Sequence, residues 1–419
     1  MRGADMRAVG EVAGEGLRVL NSLVRDVHKG IAGRVFDSIG PAAKPVELVH
    51  DSIAQTVYTS LSAAARRLPA AGGALASRTA ADDSDAPLDE NPVMGEVIAA
   101  LNGIYGDELA ARGNELATVM AVRVGGRAVE LNPPSLSEEF PNATPRLAVL
   151  VHGLCQTERS WWRAPRDDDG PEPRSYGDRL LDDLGYTPVY VRYNTGLHIS
   201  TNGHHLDDIL TTLMELWPVP VEDIALIGHS MGGLVARSAS HYGHLQGRRW
   251  TQLLRTVVCL GTPHLGADLE KSVNAASWGL AHLPETRGLA RFLNRRSDGI
   301  KDLRYGACLD EDWGGIDPDE LLHDRCGEVP FLPHASYHFV ATTAAPATVG
   351  RLFGDHLVRP ASASGRGRLR SVPFDADDGL VLTGLHHFDL LNHPQVYEAL
   401  RRWLANSAGS DDSASGSQG

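Results

Sequence analysis

The ten residues Ile224-Ala225-Leu226-Ile227-Gly228-His229-Ser230-Met231-Gly232-Gly233 constrain this chain more than any others. An apolar run ends in Gly-x-Ser-x-Gly, and a helix-compatible run, Leu234-Val235-Ala236-Arg237, follows. That pattern predicts a serine on a tight strand-to-helix turn. Gly228 and Gly232 flank the serine because a side chain there would crowd the neighbouring strand and helix. On this reading Ser230 is a nucleophile and the chemistry is acyl transfer. With 44 glycines the pentapeptide alone arises readily by chance, so the weight rests on its flanks. A Gly-rich nucleotide-binding turn is the competing reading. It calls for G-x-G-x-x-G or a Gly-Lys-Ser/Thr phosphate loop, and the sequence has neither.

The 419 residues are enough for one large α/β domain of about 250–300 residues plus an extra segment. The net charge of −14 argues against a nucleic-acid partner, because phosphate binding needs clustered Lys and Arg. No apolar run reaches the length of a bilayer-spanning helix. Glu11, Glu15 and Arg18 interrupt the first apolar candidate, so no secretory signal and a cytoplasmic location are expected. The four cysteines, Cys155, Cys259, Cys308 and Cys326, have no metal-ligand spacing. Cys259 ends an expected core strand and reads as a buried thiol. Cys308 and Cys326 are close enough to pair across one loop, but without a secretory leader a bridge is disfavoured.

Residues 17–68 read as two amphipathic helices, with Leu20, Leu23, Val27 and Ile31 on one face and Val46, Val49, Ile53, Val57 and Leu61 on another. This N-terminal extension (residues 1–68) is either an appendage on the main domain or a peripheral membrane or partner element. Residues 69–92 are small, acidic and poor in apolar side chains, which predicts a flexible linker. Asn406 to Gly419 predicts a disordered tail. Between them, residues 93–405 carry a globular pattern. A short helix is expected around Val93–Leu101, then a hairpin over 119–131 with Gly125-Gly126 at its turn. Strands are expected at 147–151, 188–193, 224–228, 256–260, 336–342 and 380–383. Helices are expected at 175–184, 203–217, 231–243 and 392–404. The alternation predicts an α/β fold with a mostly parallel sheet and helices on both faces. Segment 267–335 breaks it and is too long for a simple connection, so it reads as a cap or lid above the strand ends.

Acyl transfer needs a nucleophile, a base, an orienting acid and N–H donors for the oxyanion. In a fold of this type the chain order is Ser, Asp or Glu, then His. The strand at 147–151 ends in His152-Gly153-Leu154. Gly153 permits a sharp turn that aims the Leu154 N–H at the substrate oxygen, and Met231 supplies the second donor. His152 precedes the nucleophile and is assigned to holding the loop rather than to catalysis. Asp355 follows the strand at 336–342, whereas Asp377 and Asp378 precede the next strand and lie at its wrong end. The end-of-strand rule selects Asp355. His386 and His387 both follow the last strand, and His387 is the choice for the base.

With these residues in hand, the chain resembles a bacterial serine hydrolase of the α/β-hydrolase superfamily, near the lipase/esterase and PGAP1-like (GPI inositol-deacylase-like) group. The resemblance rests on Val-His-Gly-Leu at 151–154, Arg-Tyr-Asn-Thr-Gly at 192–196, Gly-His-Ser-Met-Gly-Gly at 228–233 and Leu-Gly-Thr-Pro-His-Leu-Gly-Ala at 260–267. It continues through Gly-Asp-His-Leu-Val at 354–358 and His-Phe-Asp-Leu-Leu at 387–391. Similar proteins carry Gly-Asp-Gly-Leu-Val around the acid and a His directly before an apolar-Asp-Leu-Leu run, which implies Asp355 and His387. This sequence departs at His356, where a glycine is usual. The resemblance implies an α/β-hydrolase fold that cleaves carboxylic esters through an acyl-enzyme, without a cofactor.

The same triad also suits an acyltransferase, thioesterase or amidase, and a non-catalytic binding protein on this fold is the alternative from another class. The apolar stretch at 278–293 points to acyl chains or other apolar esters as substrate. Thr262-Pro263-His264-Leu265-Gly266 is expected to shape the rim of the site. His204 with Asp207 or Asp208 shares a helix face, but no further ligands accompany them and no metal is expected. Asp389 reads as a helix-start or supporting residue.

Overall fold

The computed structural model describes residues 87–163, 174–266, 297–314, 326–343, 358, 360–367, 370–375 and 378–409. The expected helices within 17–68, the apolar stretch at 278–293, Asp355, Asp377 and the tail beyond 409 lie outside the described residues.

The β-branched runs form the strands β1 (Ala121–Val124), β2 (Arg127–Ala128), β3 (Arg146–Val151), β4 (Tyr186–Arg192), β5 (Asp223–His229), β6 (Leu254–Leu260), β7 (Ser336–Thr343) and β8 (Gly379–Thr383). They make one sheet in the order β2-β1-β4-β3-β5-β6-β7-β8. The β1–β2 and β1–β4 pairs are antiparallel, and every other pair is parallel. The hairpin is shorter than its sequence pattern, with two residues in β2. Gly125 (φ 59°) and Gly126 (φ 88°) make its turn, a conformation that a side chain would strain.

Five helices matter for the site: α1 (Pro92–Ala111), α2 (Tyr176–Leu184), α3 (Ile199–Leu216), α4 (Met231–Leu245) and α5 (Pro394–Gly409). The period of two along β3 decides which helix packs where. Leu147, Val149 and Val151 face a cluster with Ile199, Leu206 and Leu210 of α3 and Leu234 and Val235 of α4. Ala148 and Leu150 face the other cluster, with Tyr176 and Leu180 of α2 and Val396, Leu400 and Leu404 of α5. Residues 147–151 are fully buried, as a strand covered on both faces must be. Each such aliphatic side chain contributes about 1.5–3 kcal/mol on burial. This is an α/β-hydrolase architecture: a mostly parallel sheet with helices on both faces.

Several boundaries differ from the sequence pattern. Residues 87–92 are not linker. Leu88–Glu90 form a 3-10 turn, and the Asp89 carboxylate pairs with Arg123 at 2.6 Å and Arg192 at 3.5 Å. Helix α1 is 20 residues long rather than short. Asn91 Oδ1 accepts the Met94 N–H and Pro92 opens the helix, the arrangement a helix start favours. Its glycines seat it against neighbouring side chains: a Cβ on Gly103 would collide with Cys155 Sγ, and one on Gly106 would collide with Asn194 Oδ1. Helix α3 begins at Ile199 instead of 203, and α5 runs to Gly409, into the expected tail. Among the described residues, no helix is long and apolar enough to cross a membrane.

Candidate active site

Strand β5 delivers Ser230 to the carboxyl edge of the sheet, where α4 begins. Ser230 has φ 54° and ψ −122°, one of two positive-φ residues other than glycine among the described residues. Such a conformation costs on the order of 1–3 kcal/mol and persists only when its surroundings hold it. Here the hold is visible. The Ser230 N–H donates to the Leu260 carbonyl at 2.8 Å, tying the turn to the end of β6. A Cβ on Gly232 would lie 2.2 Å from the Val151 carbonyl oxygen, and one on Gly228 would lie 2.4 Å from the Gly233 nitrogen. The strand, the turn and the helix therefore close on bare backbone. Ser230 itself is half-buried while His229 and Met231 are fully buried, so the turn presents one side chain outward. Gly232→Ala is expected to destabilise the protein by roughly 3 kcal/mol, because the new methyl meets fixed strand carbonyls. Urea unfolding measures it, and an unchanged midpoint would contradict the close approach.

The turn after β3 lies beside the serine. The Gly153 position faces Ser230 so closely that a Cβ there would be 3.0 Å from the Ser230 Cβ. The Gly153 N–H donates to Gln156 Oε1 at 2.8 Å, and the Gln156 N–H returns to the Gly153 carbonyl at 3.3 Å. Cys155, the other positive-φ residue (φ 59°), donates its N–H to Thr195 Oγ1 at 3.2 Å. His152 is fully buried and stacks on Tyr193. Its Nε2 accepts the Tyr193 N–H at 3.4 Å, which leaves Nδ1–H to donate to the Gly153 carbonyl at 2.9 Å. Burial pushes its pKa down to about 4, so it is a neutral brace at pH 7. Met231 is the first residue of α4, where a backbone N–H has no earlier helical carbonyl to bond.

Below the turn sits a charged anchor. Glu158 and Arg192 form a bidentate pair with both contacts at 2.6 Å, each side chain 3% exposed. Burial alone would raise the Glu158 pKa; the Arg192 guanidinium overrides it and holds the carboxyl below its usual range. Arg192 opens the Arg-Tyr-Asn-Thr-Gly motif at 192–196, but its pairing with Glu158 is not legible in the sequence. The pair spans 34 positions, and nothing in the local pattern marks it.

His387 opens a 3-10 turn, His387–Leu391, directly after β8. It is 3% exposed, whereas His386 is half-exposed with its N–H bonded to Asp389 Oδ2 at 2.8 Å. Asp389 thus starts the turn. A Cβ on Gly261 (φ 60°) would lie 2.9 Å from His387 Cε1 and 3.1 Å from Nδ1. Leu260 holds the Ser230 N–H and Gly261 faces the His387 ring, so serine and histidine converge on one dipeptide at the end of β6. The acid expected between them, Asp355, lies outside the described residues. Asp378 is at the far end of β8: its carbonyl accepts the Phe339 N–H at 3.2 Å, and its carboxylate lies 3.5 Å from His338.

Other expected residues have different positions. Thr262 and His264 turn inward rather than lining a rim. His264 Nδ1 accepts from Nη1 of Arg237, a residue of α4, at 3.1 Å, and both side chains are buried. His204 stacks on Tyr242 and contacts Asp310 at 3.1 Å. Asp207 accepts from Trp250 Nε1 at 2.6 Å and Arg248 Nε at 3.2 Å, so it serves a packing network.

A comparison with curated protein sequences finds no match. Among solved structures, the mature form of Bacillus licheniformis lipase BlEst2 is similar at 16% identity and a TM-score of 0.39, covering 62% of this chain and 91% of that one. Staphylococcus hyicus lipase is similar at 13% identity and a TM-score of 0.37, covering 64% and 97%. Naproxen esterase (carboxylesterase NP) from Bacillus subtilis stands at 14% and 0.31, covering 62% and 83%. A family match falls on the segment that runs from the end of β4 through the serine turn and beyond β6. Over residues 193–277 the chain matches the PGAP1-like alpha/beta domain, carried here within an α/β-hydrolase fold.

Proposed function

We propose that this protein is a serine hydrolase of carboxylic esters. Ser230 attacks the ester carbonyl, and His387 takes its proton and returns it to the leaving alcohol. Asp355 orients the imidazole and stabilises its charged form. The N–H groups of Leu154 and Met231 hold the oxyanion. Water then attacks the acyl-enzyme by the same route, so no cofactor enters.

The observation that carries this reading is the backbone of Ser230. A non-glycine residue at φ 54° sits on a strand-to-helix turn, with a helix N-terminus on one side and the Gly153 turn on the other. Strain of that kind has no packing benefit of its own; it makes sense as a way to present an oxygen. The apolar sequence at 278–293 favours acyl chains as the substrate's bulk.

The test is labelling with a fluorophosphonate probe, followed by a p-nitrophenyl ester series of increasing chain length. Covalent label on Ser230 is expected, with turnover that depends on chain length. A folded protein that takes no label there sinks the proposal. The base is tested separately. His387→Ala is expected to lower kcat by roughly 10³-fold or more, and His386→Ala by less than about tenfold. Reversed losses would move the base to His386.

A further inference from the structure

His229 lies between the two turns of the site, and the mechanism above does not use it. Its ring is fully buried, and each nitrogen lies within hydrogen-bond distance of an acceptor. Nδ1 is 3.2 Å from Gln156 Oε1, and Nε2 is 3.2 Å from the main-chain carbonyl oxygen of His387. The Gln156 oxygen is fixed independently, because it already accepts the Gly153 N–H at 2.8 Å. The ring centroid is 4.8 Å from that of His387, and Trp161 and Phe388 close the remaining sides at 6.5 Å and 6.1 Å. Both ring nitrogens face acceptors on opposite walls of the site.

We propose that His229 is a positioning residue that bridges the Gly153 turn, through Gln156, to the main chain of His387, and so sets the spacing between oxyanion donors and base. The inference rests on the assignment of His387 as base and of the Gly153 turn as donor. His229 is not a second base. Burial holds its pKa well below the usual histidine value, and positive charge on His387 opposes a second proton beside it. A neutral imidazole carries one N–H, so it bonds one wall in each tautomer while its ring packs against both. Its place next to Ser230 in the chain makes the bridge rigid, since the same strand end carries nucleophile and spacer. Rigid spacing matters because small misplacements of reacting groups cost large factors in rate.

The experiment uses the full chain, with active sites counted by fluorophosphonate titration. His229→Leu keeps volume and removes both nitrogens; it is expected to lower kcat per titrated site by roughly 10- to 100-fold with KM changed less than about threefold. His229→Asn keeps a polar atom near the Nδ1 position and His229→Gln keeps one near Nε2, and at least one is expected to recover several-fold of the loss. Gln156→Leu cuts the bridge from its other end, and the double variant with His229→Leu is expected to lose less than the product of the single losses. If His229→Leu does not fold, Gln156→Leu alone carries the kcat test. A kcat per titrated site within twofold of the parent in both single variants overturns the proposal, as do equal losses in Leu, Asn and Gln. Failure of the ester-hydrolase reading looks different: the parent protein itself takes no label on Ser230.

Discussion

Ser230→Ala is expected to abolish ester turnover, by on the order of 10⁴- to 10⁶-fold in kcat, while the protein stays folded. The substitution removes one oxygen and nothing else. Alanine keeps the Cβ, so the strain at φ 54° and the contact with the Gly153 position are unchanged. The backbone bond from residue 230 to the Leu260 carbonyl is also kept. The thermal midpoint should therefore move by no more than a few degrees. Hydrolysis of a short p-nitrophenyl ester and fluorophosphonate labelling both read the result. Retained turnover with a folded variant means that another residue is the nucleophile.

The second large effect is acid sensitivity. Burial pushes the pKa values of His152 and His338 down to about 4, and those of His229 and His264 well below the usual value. For each, the folded pKa is lower than the unfolded one, so the unfolded chain takes up protons first as pH falls. Their contribution to stability is fully present above about pH 6.5 and is lost progressively towards pH 4. Each unshielded proton costs roughly 1.4 kcal/mol per pH unit across that window. Glu96, Asp107 and Asp302 are raised by burial and offset part of the loss at the acid end. A drop of several kcal/mol in unfolding free energy is expected between pH 7 and pH 5. Urea titrations at the two values measure it, and a flat profile means that these histidines are solvated.

The parallel strands were legible because a strand buried on both faces writes itself as a short apolar run, and β3 and β5 are such runs. The serine turn was legible because its glycines are demanded by backbone contacts, as at Gly232. Helix starts were less so. Ser200, Thr201, Asn202 and Gly203 look like a break, yet they lie inside α3. Ser200 Oγ accepts from Trp313 Nε1 at 2.9 Å, and Asn202 Nδ2 donates to the Asn194 carbonyl at 3.0 Å. These distant partners outweigh weak local propensity. Gly103 and Gly106 hid the second half of α1 for the same reason. The role of His229 is not legible in the sequence, because its partners, Gln156 and the His387 main chain, come from two other turns.

Helix α1 bears on how this chain can change over time. Glycine inside a helix costs about 1 kcal/mol relative to alanine, so drift should favour replacing Gly103 and Gly106. Yet any replacement collides with Cys155 Sγ or the Asn194 side chain. Cys155 belongs to the turn that faces Ser230, and Asn194 Nδ2 donates to the Gly106 carbonyl at 2.9 Å. A lineage can thus vary this face only together with the loop that meets it. The helix that precedes the sheet is thereby bound into the history of the turn that faces Ser230, and a swap of that segment between relatives would have to carry its opposing turn along.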